Sequence, residues 1–377
     1  MMSIFGFCAF LYENSNDNER KRNITLISLT AFYIFFGIRG YLYTDWVEYS
    51  KVFETVEWRD VFLLTSEHKK GVVHEPGFTL LCLLCRAVVN EYAFLVMVIT
   101  AIDTALLVRF LRRLGVENYS MVFMLIIPFD GLGLMFNLLR NQLTIFIFLN
   151  ALEYIETRQP LKYFSLCTLA LCFHLSSLMF FPLYLFSRVR INRWVFASVF
   201  LGLFVFYVSN ISIITTLIEL LGFGGALAEK ATIYTENFTS SRLLSPTGTL
   251  EKFGLCLLVF IYYDDLIDKL KYRRMIINCL LMYFTMYYFL AEFRMLSMRL
   301  SFLFIFSYWI IWLDLIHMLT IRRNRILLGS IIYMYSVYML LFNINSPVQE
   351  YDNLLFGGMT QEERMVIFNK TFDQSDD

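Results

Sequence analysis

The chain has 377 residues, 58% of them hydrophobic and only 17% charged, against roughly 25% charged in a soluble protein. Its 39 Phe, 23 Tyr and 5 Trp are more apolar surface than one soluble core hides, and 6 Pro with 17 Gly exclude a disordered or fibrous chain. With 32 basic and 32 acidic residues the formal charge is zero, which gives no footing for nucleic acid and leaves an all-helical, polytopic integral membrane protein as the expectation.

A membrane helix needs about 20 mostly apolar residues. Runs of that kind predict spans at 24–41, 92–108, 119–135, 138–155, 161–186, 194–221, 275–291, 300–319 and 326–342. Shorter runs at 77–89 and 253–263 read as short, tilted or re-entrant segments. The expected total is about 11 transmembrane helices. The chain opens with about twelve apolar residues, too few to span and without the basic stretch or cleavage site of a signal peptide. No internal repeat is visible, which gives no support to an inverted-repeat transporter. Residues 1–355 thus predict one membrane-embedded helical domain with outer loops at 42–74 and 222–251, and 356–377 a polar C-terminal tail.

Lys and Arg in short loops set orientation. Arg20-Lys21-Arg22, Arg188/Arg190/Arg193, Lys269/Lys271/Arg273/Arg274 and Arg322/Arg323/Arg325 fall on one face if every run spans, and that face is cytoplasmic. Arg109/Arg112/Arg113 and Arg158/Lys162 then land outside, against the rule. A re-entrant 77–89 repairs both but misplaces Arg188–Arg193. The loop at 42–74 mixes acids and aromatics (Asp45, Trp46, Glu48, Tyr49, Phe53, Glu54, Trp58), which argues for an ordered segment. Cys8, Cys82, Cys85, Cys167, Cys172, Cys256 and Cys279 all sit in apolar runs. Cys82 and Cys85 form a CxxC without a second ligand pair, so they read as packed thiols and no metal is expected.

Some charges stand where charge is expensive. Arg39 ends the first span and Asp45 follows it. Glu75 opens the 77–89 run in His74-Glu75-Pro76-Gly77-Phe78, with Pro76 suited to a first helical turn. Arg140 and Gln142 start the 138–155 run, His174 lies inside 161–186, and Arg294 and Arg299 flank 300–319. Each has a plain alternative: the arginines snorkel to water, Glu75 complements a helix dipole, and His174 bonds a neighbouring helix. Asp103 and Glu153 read as structural partners, and Asp314 with His317 as a local pair. Taken together, arginines, acids and one His at outer helix ends form an anionic-ligand pocket. Arg grips phosphate oxygens bidentately, and a nearby acid or His removes a proton from a hydroxyl. That combination suits transfer from a phosphate-activated donor. No GxxxxGK[ST], HExxH or GxSxG is present, and no cofactor is expected.

An ordered set of short motifs resembles the EpsG-type family of Wzy-like polysaccharide polymerases. It comprises Arg39-Gly40 with Thr44-Asp45-Trp46, Tyr49 and Phe53; then Glu75-Pro76-Gly77-Phe78 with Leu80-Leu81; then Leu139-Arg140-Asn141-Gln142. Lys162-Tyr163, Phe173-His174-x-Ser176-Ser177, Met298-Arg299-Leu300 and Tyr351-Asp352-Asn353 complete it. The chain departs from the family at its start, where members usually have a full span. The resemblance implies a GT-C-type membrane glycosyltransferase of the bacterial cytoplasmic membrane. It would join undecaprenyl-diphosphate-linked oligosaccharide repeats at the outer face, in company with membrane lipids and with the chain-length regulator and flippase of the same pathway. It further implies a functional acid in the first outer loop, where Asp45 stands.

On the chemistry, an acceptor hydroxyl attacks an anomeric carbon and lipid diphosphate leaves. Arg140, Arg299 and Arg39, with Gln142, are the expected diphosphate-binding residues; Asp45, Glu75 and His174 are candidates for the base or for positioning the acceptor. A lipid-linked polysaccharide ligase shares the donor chemistry. A non-catalytic flippase or transporter would use the arginines without a base.

Overall fold

A computed structural model describes residues 1–62, 75–186, 189–209, 246–269, 272–343 and 346–373. Residues 63–74 and 222–245 of the two expected outer loops lie outside the described residues, as do His74, Arg188, Lys271 and the side chain of Arg294.

The helices run in the order α1 (Met2–Glu13), α2 (Asn18–Gly37), α3 (Trp46–Thr55), α4 (Pro76–Val88), α5 (Tyr92–Arg113), α6 (Tyr119–Ile126), α7 (Leu132–Asn137), α8 (Leu139–Leu149), α9 (Leu152–Glu156) and α10 (Pro160–Leu171). They continue with α11 (Leu183–Phe186), α12 (Arg193–Val208), α13 (Pro246–Ile261), α14 (Tyr263–Lys269), α15 (Arg273–Phe289), α16 (Arg294–Phe302), α17 (Ile305–Met318), α18 (Arg322–Asn343) and α19 (Gln361–Asp373). The chain divides into two compact units, Met1–Tyr184 with Leu319–Asp377, and Leu185–Met318.

In the first unit α1 packs on α6 and α2, α2 on α5, α5 on α8, and α8 on α10. The seam of α1, α2 and α6 is aromatic. Phe32 and Phe123 lie 4.3 Å apart, Phe5 meets Phe123 edge-on at 5.6 Å, and all three are fully buried. Where polar atoms enter this seam they are paired, as Ser28 Oγ and Ser120 Oγ are at 2.6 Å. Helix starts follow from sequence: Asp17 accepts from the Glu19 N–H ahead of α2, and Asn192 from the Trp194 N–H ahead of α12.

The second unit centres on α15, which packs on α12, α16 and α17. Phe200 meets Phe284 edge-on at 4.8 Å, and Tyr283 lies 5.3 Å from Tyr308. Arg273 and Asp314 form a buried bidentate pair, Nε to Oδ2 at 2.5 Å and Nη2 to Oδ1 at 2.8 Å. Asp314 is thus held from another helix, and His317, its expected local partner, also acts on it electrostatically.

The expectation of about 11 membrane helices in a GT-C-type arrangement is overturned. The structure is mostly helical, but three helices among the described residues are long and apolar enough to cross a membrane: Tyr92–Arg113, Tyr119–Asn137 and Arg322–Leu341. A fourth arises if Leu296–Phe302 and Ile305–Met318, bent by 53°, count as one span. Two of the other apolar runs are interrupted by breaks in the backbone. The 138–155 run divides at Asn150, whose amide donates to the carbonyls of Leu106 and Phe146 at 3.0 Å. The 161–186 run divides after Leu171, where His174 is extended. At 1.5 Å per residue the resulting pieces fall short of a hydrocarbon core of about 30 Å.

The first unit has two chemically distinct ends. Lys21, Arg22 and Arg112 line one cavity, and Arg113 pairs with Glu153 at 2.7 Å at the end of the same helix. Arg112 and Arg113 therefore share an end with the Arg20–Arg22 cluster. The 13-residue α4 is shorter than a hydrocarbon core of about 30 Å; Arg86 near its end donates to the Phe53 and Glu54 carbonyls at 2.8 Å, keeping α4 beside α3.

Candidate functional site

The Glu75-Pro76-Gly77-Phe78 turn lies at the other end of the unit. Glu75 is the N-cap residue of α4, with extended backbone, and Pro76 fills the first helical position, where its missing N–H is no loss. The chain then passes close to the end of α10: the Gly77 N–H donates to the Cys172 carbonyl at 2.7 Å. A Cβ on residue 77 would lie 2.7 Å from that oxygen, so a side chain forces backbone apart. Gly77→Ala is expected to destabilise the fold by about 1–3 kcal/mol, the usual overpacking range. Thermal unfolding of purified protein in detergent measures this; a wild-type melting temperature would mean that the turn yields without cost.

Because α10 stops before His174, the backbone there is extended (φ −160°, ψ 131°) and turns two donors toward Glu75. His174 Nδ1 and the Leu175 N–H both lie 2.9 Å from Glu75 Oε1. Arg140, in the first turn of α8, donates Nη1 to Glu75 Oε2 at 2.6 Å. Its guanidinium stands 5.5 Å from the Tyr49 ring and 5.8 Å from the Phe78 ring, within cation–π range. The three polar side chains keep 14 to 18% of their surface exposed, so the cluster is reachable yet largely desolvated.

Burial pushes the Glu75 carboxyl upward, but the His174 hydrogen bond, the Arg140 charge and the Leu175 N–H outweigh it and hold its pKa at about 2. An ionised Glu75 accepts, so His174 Nδ1–H donates, and in the neutral imidazole Nε2 keeps its lone pair. For Arg140, burial lowers the pKa, while Tyr49 and Glu75 more than restore it.

Asp45 precedes α3 after Tyr43, which adopts φ 64°. The Asn137 side chain accepts from the Thr44 N–H at 3.1 Å and from the Asp45 N–H at 2.9 Å. Asn137 ends α7, two residues before α8 begins and three before Arg140. Tyr49, one turn beyond Asp45, is the ring that faces Arg140. Asp45 is thus anchored on both sides to the elements that hold the Glu75 cluster.

Arg39 is buried and forms an isolated antiparallel bridge with Asn353. Its guanidinium donates to the Phe136 carbonyl and lies 5.2 Å from that ring. Burial lowers its pKa to about 10, which leaves it charged at neutral pH. Around it the late segment closes on α2: Gly40 N–H donates to the Asp352 carbonyl at 2.9 Å, Leu354 N–H to the Ile38 carbonyl at 3.0 Å, and Tyr351 stacks on Phe35 at 4.7 Å. The polar tail forms α19, and its buried Arg364 donates to the Glu350 carbonyl at 2.8 Å.

The structure therefore brings Glu75, Arg140 and His174 into direct contact, with Asp45 and Arg39 at the same end. Gln142 is fully buried and donates to Asp103 Oδ2 at 2.5 Å, where α5 meets α8. Arg299 lies on α16, in the second unit. Sequence reasoning assigned no role to Asn137 or Tyr49. A polar residue in the seam between the 119–135 and 138–155 runs was the signal for the first. The one-turn spacing from Asp45 was the signal for the second. Among the described residues no group of three or more His, Cys, Asp or Glu is arranged to hold a metal ion.

A family model described as the EpsG family matches residues 2–355, nearly the whole chain. No curated protein and no solved structure matches.

Proposed function

We propose, because the chain belongs to the EpsG family, that it is a polysaccharide polymerase joining undecaprenyl-diphosphate-linked oligosaccharide repeats at the outer face of the bacterial cytoplasmic membrane, as a multi-pass protein. Family membership carries an enzymatic role in polysaccharide biosynthesis of the polymerase type. The long apolar helices agree with a membrane-associated location.

The observation that supports the finer reading is the Glu75 carboxylate accepting from His174 while pairing with Arg140. In this reading a hydroxyl of the acceptor sugar attacks the anomeric carbon of the donor. The bond from that carbon to the diphosphate oxygen breaks, and the hydroxyl proton passes to His174 Nε2. Glu75 orients the imidazole and stabilises its charged form, as a carboxylate does in a Ser-His-Asp triad. With a pKa of about 2, Glu75 itself is too weak a base for the step. Arg140 takes the negative charge that develops on the departing diphosphate, usually a large part of catalysis. Asp45 positions the acceptor from the loop that begins α3.

Purified protein in detergent, given lipid-linked repeats, tests the activity. Lengthened products support polymerisation, since detergent leaves no side to flip to. Repeats that bind but never lengthen favour a flippase. Asp45→Asn separates positioning from base catalysis. It is expected to raise the acceptor KM with kcat within about tenfold of wild type, whereas loss of a general base costs roughly 10²–10⁴-fold in kcat.

A further inference from the structure

The first unit contains a groove, far from Glu75, between α1 and α18, with Met121 and Met124 of α6 as its floor. Its volume is about 700 Å³, within the usual range for small-molecule sites. Ser3 Oγ and Tyr333 Oη, 2.8 Å apart, join the two helices at one end. At the other end Arg322 donates to Asn14 Oδ1, and Arg325 Nη1 lies 3.8 Å from Glu13 Oε2. From residue 3 to residue 13 the helical rise makes this about 15 Å. The walls between are apolar and open: Phe7 is 63% exposed, Phe10 54% and Ile326 50%. Gly329 makes the room, since a Cβ there would meet nothing within 4 Å.

The occupant follows from the two ends. α18 is a candidate membrane span with only 11% of its residues buried, so an outward-facing groove along it would meet lipid. Its polar end carries two arginines against one carboxylate, with the Asn14 and Asn16 amides beside them. Arg325 Nε is buried without a hydrogen-bond partner among the described residues. Lys21, Arg22 and Arg112 stand at the same end of the unit and add to the positive field. Guanidinium forks match phosphate oxygens, and basic pockets between membrane helices suit anionic headgroups.

We propose that this groove binds an anionic membrane phospholipid, with an acyl chain between α1 and α18 and the phosphate on Arg322 and Arg325. The site is separate from the Glu75 cluster and does not depend on the activity assigned to it.

Full-length protein in detergent, stripped of lipid and titrated with phosphatidylglycerol, tests this by native mass spectrometry. Phosphatidylcholine and inorganic phosphate serve as comparison probes. Wild type is expected to bind phosphatidylglycerol at least tenfold more tightly than phosphatidylcholine, without competition from phosphate. Gly329→Phe fills the groove, and Arg322→Gln with Arg325→Gln removes its charge; each is expected to lower binding at least tenfold. Gly329→Ala leaves the groove open, is expected to bind like wild type, and controls for folding. Equal binding by wild type and Gly329→Phe overturns the site, as does equal binding of the two lipids. Displacement by inorganic phosphate makes it a free-anion site and overturns the lipid.

Discussion

His174→Asn is expected to lower the rate of polymer formation by about 10²–10⁴-fold, the range for loss of a general base. The asparagine amide reproduces the Nδ1–H donor that reaches Glu75 Oε1 at 2.9 Å, so the Glu75–Arg140 pair keeps its neighbour. What disappears is Nε2, the atom with a free lone pair. The variant should therefore be made in normal amount and bind lipid-linked repeats, yet form little polymer. Glu75→Gln should give a smaller loss, because it weakens the orientation of the imidazole and leaves the base in place. His174→Asn polymerising within a few-fold of wild type would remove His174 as the base and return Asp45 to that role.

Arg140→Lys is the second large effect, expected to reduce polymer formation by about 10²–10³-fold, as for loss of one preorganised donor at developing negative charge. Lysine keeps the charge and can still reach Glu75, but it loses the planar fork and the stacking against Tyr49 and Phe78. Arg140→Ala adds a stability defect by leaving Glu75 without its cation. The sign of its pH dependence is fixed. A carboxylate held at about 2, against an ordinary 4.5, stabilises the fold fully above about 4.5 and loses that contribution as the pH falls toward 2. Acid-unfolding curves of wild type and Arg140→Ala should thus differ most at neutral pH and converge near pH 2. Parallel curves, or Arg140→Lys with normal polymer, would give Arg140 a purely structural role.

Glu75 and Pro76 were legible because their meaning is local. An acid before a proline marks a helix start, whereas the close approach of Gly77 depends on the Cys172 carbonyl, 95 residues away, and was not legible. His174 was legible as a costly polar residue but not as a break. Hydropathy averages over the 161–186 run, and nothing apolar in it announces that α10 ends at Leu171. The same averaging produced the excess of predicted spans, since Asn150 ends a helix by hydrogen bonds to Leu106 and Phe146 that a window cannot register. Gln142 and Asp103 are 39 residues apart, and their pairing depends on the relative rotation of α5 and α8. Arg39 was expected at the diphosphate, with an interfacial arginine as the alternative; its contacts with Phe136 and Asn353 were hidden because both are remote in sequence.

The bridge between Arg39 and Asn353 also sets an order of events during synthesis. At roughly 5–20 residues per second a ribosome needs on the order of 15–60 s to pass from one to the other. Throughout that interval Ile38 and Gly40 lack the backbone partners that Leu354 and Asp352 later supply, and Phe35 lacks the ring of Tyr351. The loop leading into Asp45 is therefore closed by a segment translated about 300 residues after it. A nascent chain has its first helices and an unfinished candidate site, exposed to membrane proteases until Tyr351–Leu354 have been made. A frameshift beyond residue 345 spares every candidate catalytic side chain and still removes the clasp that holds the loop before α3.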